Sequence, residues 1–103
     1  MANALSISGD ETADQLRAMS ASGDSYNLDA MAVARFIARY VDDHLSATDL
    51  EQIGDVLESA EFFEYTGPGA DGLIAQVVFH FSTPQPNAPI SKAAAARWLQ
   101  LLA

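Results

Sequence analysis

The chain has 103 residues, half of them apolar, no cysteine, and a formal net charge of −9 at pH 7. That length holds one domain, residues 1–103, with a modest core, and the apolar fraction excludes a disordered chain. Without cysteine there is neither a disulfide framework nor a thiolate metal site, and so acidic a balance makes nucleic acid and anionic membranes poor partners.

Residues 1–9 show no period and read as a flexible arm or a short strand. They lack the basic and apolar regions of a secretory leader. The longest apolar run, Leu73 to Phe81, falls well short of the about 20 residues that span a bilayer. The simplest location is the cytoplasm. A weak helix is expected from Asp10 to about Ser20, with Ser8 and Glu11 at capping-box spacing and a thin stripe of Ala13, Leu16 and Met19. Ser20 to Ser25 reads as a loop.

A stronger helix is expected from Leu28 to about Asp43, with Asn27 as its N-cap. Val33, Phe36, Ile37, Tyr40 and Val41 recur at i, i+3, i+4, i+7 and i+8, which makes one apolar face. Arg39 and Asp43 have the spacing of an exposed ion pair on the opposite side. The next helix has the clearest start in the chain. Ser46 with Asp49, and Thr48 with Glu51, both have capping-box spacing, and Leu45 and Leu50 sit where a hydrophobic staple would close. Leu50, Ile53, Leu57 and Ala60 form its buried stripe. Gly54 weakens the helix by about 1 kcal/mol relative to Ala, and suits a close helix contact.

Phe62 to Thr66 is aromatic and extended in character. Leu73 to Phe81 fits either a helix, with Leu73, Ile74, Val77, Val78 and Phe81 on one face, or a strand; the helical reading is preferred. Pro84, Pro86 and Pro89 make Thr83 to Ile90 an extended connector. Ser91 then caps a last helix whose apolar face is Ala95, Trp98, Leu99 and Leu102. The fold class is therefore mainly α, a small bundle of four to five helices. The alternative is α+β, with a two-stranded hairpin formed by 62–66 and 73–81.

No catalytic signature emerges. Gly67, Gly69 and Gly72 spell G-x-G-x-x-G, but Pro68 removes an amide, Asp71 adds negative charge, and no Lys or Arg lies nearby to meet a phosphate. Asp42, Asp43 and His44 are adjacent, and adjacent helical positions splay about 100° apart, so no metal site is expected. His80 lies among apolar residues with no nucleophile in view. No cofactor is implied, and the protein is not expected to be an enzyme.

The charge distribution carries the functional reading. From Tyr40 to Ser91 there are nine acidic residues and no Lys or Arg, while outside that block five acids balance five bases. Asp49, Glu51, Asp55, Glu58 and Glu61 span about 18 Å of helix at 1.5 Å per residue. A surface that is merely solvated usually mixes both signs. The expectation is a small acidic binding module that neutralises or escorts a basic protein partner. Its contact surface would be Asp49, Glu51, Asp55, Glu58, Glu61, Phe62, Glu64 and Tyr65. Small helical nuclease-immunity proteins are similar in size and charge, though no motif is shared. The alternative is a secretion-type chaperone or adaptor, a homodimer that holds its client on apolar surface.

Overall fold

A computed structural model of the chain describes residues 5–22, 26–59, 63–67, 72–82 and 90–102. Along these residues run β1 (Leu5–Ser6), α1 (Ala13–Ala21), β2 (Tyr26–Leu28), α2 (Ala30–Val41), α3 (Ala47–Ser59), β3 (Phe63–Tyr65), α4 (Leu73–Ser82) and α5 (Lys92–Leu102). The architecture is mainly helical, as the periodicities predict, with a short parallel sheet at its side. The strand order is β1-β2-β3, and Asn27 stands opposite both Ser6 and Glu64. Parallel neighbours need crossover connections. Helix α1 supplies one, and the α2–α3 pair supplies the other.

The sheet corrects the α+β alternative. Residues 63–65 are extended, but their partner is β2 and not residues 73–81. Leu73–Ser82 is helix α4, so the hairpin alternative is not formed. Ile74, Val77, Val78 and Phe81 are all fully buried. This i, i+3, i+4, i+7 face packs on α3, and tertiary packing outweighs the β-propensity of the run. The first nine residues divide. Residues 1–4 lie outside the described set, Leu5–Ser6 form β1, and Ile7 is buried with its amide donating to the Asn27 carbonyl at 2.9 Å.

Helix α1 begins later than the Ser8–Glu11 spacing suggests. Its capping box is Thr12 with Gln15. Glu11 instead accepts from the amides of Ser8 and Gly9 and closes the preceding loop. Gly9 has φ +96°, and a Cβ there would sit 2.4 Å from Cβ of Arg35 and 2.7 Å from the Ala32 carbonyl oxygen. Only glycine fits this approach of the loop to α2. Because Tyr26–Leu28 are committed to the sheet, α2 is capped by Asp29 rather than Asn27, and the Asp29 carboxylate accepts from the Ala32 amide at 2.9 Å.

The core is continuous. Val33, Phe36 and Ile37 of α2 meet Leu50, Ile53 and Leu57 of α3, with Val56 as an additional buried position. Gly54 lets Phe81 and Ser82 of α4 approach α3 closely. A Cβ there would lie 2.8 Å from Phe81 and Ser82 side-chain atoms, so the weak helix former is the condition for the contact. Ser91 caps α5 by accepting from the Ala94 amide at 3.1 Å. Ala94, Ala95 and Trp98 bury the inner side of α5, with the Trp98 ring 5.9 Å from that of Phe81. The expected connector at residues 83–89 and the expected buried Ala60 lie outside the described residues.

Candidate protein-binding face

The acidic residues separate into those that hold the fold and those that face solvent. Asp49 belongs largely to the first group. Its carboxylate accepts from the Ser46 amide at 3.0 Å, and its own amide donates to the Ser46 hydroxyl at 3.0 Å. This is the expected Ser46–Asp49 capping box, and Thr48 lies inside the helix. The Ser46 hydrogen bonds hold the Asp49 carboxyl below the ordinary 3.8, with a smaller contribution from Arg39. Asp43 is similar. Its backbone is left-handed, φ 64°, just past the end of α2. The Asp43 amide donates to Tyr40 O, and the His44 amide to Arg39 O. This pair of bonds is the Schellman closure of a helix end.

Asp43 does not pair with Arg39. The left-handed turn carries it off the helical i, i+4 track, and its carboxylate meets Lys92 of α5 at 2.7 Å. The Lys92 hydrogen bond holds the Asp43 carboxyl below its usual range. Arg39 instead donates to the carbonyls of Gly9 and Glu11, at 3.1 and 2.8 Å. Arg35 pairs with Asp10, and Arg17 with Asp14. A linear count of charge hides the Lys92–Asp43 contact, because the partners are 49 residues apart.

The outward row on α3 is Glu51, Asp55 and Glu58. At about 100° per residue these three fall within about 60° of one another, whereas Asp49 is turned at least about 120° away, toward α2. Asp55 and Glu58 are exposed and Glu51 is half-buried. Leu50, Ile53, Val56 and Leu57 bury the opposite side. Glu64 of β3 is exposed and Tyr65 is half-buried against the core. Burial raises the Tyr65 hydroxyl above its ordinary 10.0, and the Glu58 charge raises it further. The charge at the end of the acidic row is thus felt at β3. Glu61 and Phe62 lie outside the described residues.

The other candidate chemistry stays dispersed. His44 is exposed at the end of α2. His80 is half-buried with its ring edge-on to Phe79 at 6.3 Å. Among the described residues no three His, Asp or Glu side chains gather in a way that could hold a metal ion. Gly67, φ +76°, and Gly72 flank a connection whose residues 68–71 lie outside the described set. Among the described residues no helix is long and apolar enough to cross a membrane. Comparison with protein-family models, with curated proteins and with solved structures finds no match.

Proposed function

We propose that this is a small acidic protein-binding module that neutralises or escorts a basic partner, in the manner of an immunity protein or antitoxin, in the cytoplasm. The observation that carries the reading is the outward row of Glu51, Asp55 and Glu58 on α3, with exposed Glu64 on β3, in a stretch from Tyr40 to Ser91 that holds no Lys or Arg. The Glu58 charge also acts on the half-buried Tyr65. Acidic residues give a fast, salt-dependent approach to a basic surface, and a ring at the centre supplies affinity. Four of the five bases are engaged elsewhere: Arg17, Arg35 and Lys92 with carboxylates, and Arg39 with carbonyls. The chaperone alternative asks for a broad apolar groove. The large apolar side chains exposed among the described residues, Met31, Phe79 and Leu101, stand on three different helices.

The test is retention of protein from native lysate at low and at moderate salt. Wild type runs beside a Glu51→Lys, Glu58→Lys variant of equal circular dichroism and equal urea midpoint. The expected outcome is a basic protein held by wild type, and released both by salt and by the charge reversal. Equal capture by both proteins, or capture unaffected by salt, would remove the acidic face from the function.

A further inference from the structure

The contact between α5 and α2 has an unusual division of labour. On the apolar side α5 buries Ala94, Ala95 and Trp98 and packs the half-buried Leu99 and Leu102 against the core, whereas α3 buries four branched side chains, Leu50, Ile53, Val56 and Leu57. On the polar side everything converges on one residue. The Lys92 ammonium donates to Tyr40 O at 2.5 Å and to Val41 O at 3.0 Å. It also pairs with Asp43 at 2.7 Å and lies 4.5 Å from the centre of the Tyr40 ring. The last carbonyls of a helix lack intrahelical partners, and the helix end there is negative. A cation is therefore favoured at the end of α2. The same cation in the first turn of α5 is opposed by the dipole of its own helix. Lys92 thus stabilises α5 only while α5 is docked. Among the described residues no strand adjoins α5, whereas α1 lies between β1 and β2 and cannot leave without disturbing them.

We infer that α5 opens from α2 and α4 as a unit, at lower cost than global unfolding, and that Lys92 is the latch that holds it closed. Opening breaks the four Lys92 contacts together and uncovers Phe81, whose ring Trp98 covers in the closed form. The sheet and the α1–α3 and α3–α4 packing are not part of this step. Sub-global openings of this kind are cooperative units with their own free energy and their own exposed area.

Hydrogen exchange on the full chain, in increasing sub-denaturing urea, tests the inference. In wild type the α5 amides are expected to exchange at least about tenfold faster than those of Ile53–Leu57 in α3, with a shallower urea dependence. Lys92→Gln is expected to accelerate α5 exchange about tenfold, the low end for loss of one charge-assisted hydrogen bond. Asp43→Asn keeps a residue that tolerates the left-handed backbone and removes only the ion pair, so about twofold is expected. It decides the matter if Lys92→Gln does not fold. One rate and one urea slope shared by α3 and α5 would overturn the inference. So would α5 exchange that neither variant changes.

Discussion

The corner at the end of α2 and the outward face of α3 use the same kinds of charged residue for opposite purposes. At the corner, Arg35, Arg39, Asp43 and Lys92 are spent on backbone carbonyls, on one another's charges and on a loop that approaches α2 closely. On α3, Glu51 and Glu58 close no cap and pair with no base among the described residues. A charged side chain fixed by several short contacts cannot be removed without loosening what it holds. One that faces water is a source of field, and its loss changes association more than stability.

The sharpest way to break this contrast is at Gly9, where the loop that meets Arg35 and Arg39 approaches α2 closely. Gly9→Ala must adopt φ +96° and must displace both the Arg35 side chain and the Ala32 carbonyl. The loop carrying Asp10 and Glu11 would move with it, along with the Arg35 and Arg39 contacts. A loss of about 3 kcal/mol or more is expected from overpacking and backbone strain together, read as a lower urea midpoint at unchanged slope. A loss below about 1 kcal/mol would mean that the loop does not rest on α2.

Acid titration ranks next. Asp43 and Asp49 both have carboxyl groups held below the ordinary 3.8, by Lys92 and by Ser46 respectively. In each case the unfolded chain binds the proton more tightly than the folded one. The stability they contribute is therefore complete above about pH 3.8 and is lost as pH falls below it, through the lowered folded values. Asp43→Asn should flatten the acid limb of the urea midpoint against pH. An acid limb as steep as that of wild type would mean that the Lys92 contact does not act on Asp43 in the folded protein.

These cases also mark how far the sequence could be read. The helices carry local signals: a 3.6-residue stripe in α2, α3 and α5, the Ser46–Asp49 spacing at the start of α3, a thinner stripe in α1, and in α4 a run that fitted a strand as well. Extended chain was expected within residues 1–9 and at Phe62–Thr66, but β2 and the pairing escaped notice, because the strands are two or three residues long and parallel pairing leaves no turn between partners to betray it. Nothing local in Tyr26–Leu28 announces that Phe63–Tyr65 will lie beside it. The same blindness to distance governs the site. Capping by Asp49 could be inferred from Ser46, three residues before it. The pairing of Lys92 with Asp43 could not, and it shows that an uninterrupted acidic run in sequence need not be one in space. The approach of the Glu58 charge to Tyr65 has no local signal, because an extended reading of Phe62–Thr66 does not say which element lies beside it.

That approach yields the smallest expected effect and the most direct check on the proposed face. Burial is the larger reason that the Tyr65 hydroxyl is raised above 10.0, and the Glu58 charge is the smaller one. Glu58→Gln removes the charge at nearly constant volume. The Tyr65 titration, read as phenolate absorbance by difference from a Tyr65→Phe variant, should then move down while staying above 10.0. The sign in stability follows. A raised folded value means that stability is complete below pH 10.0 and is lost as pH rises through it, so the variant should lose less on the alkaline side. Near neutral pH its stability should match wild type within about 0.5 kcal/mol, as expected for an exposed carboxylate. Glu51 stands on the same row about two turns earlier, some 10 Å along the helix. Glu51→Gln should therefore move the Tyr65 titration less than Glu58→Gln does. Equal shifts would mean that Tyr65 senses the net charge of the whole protein rather than a neighbour. The row on α3 and the ring on β3 would then be two separate features rather than one face.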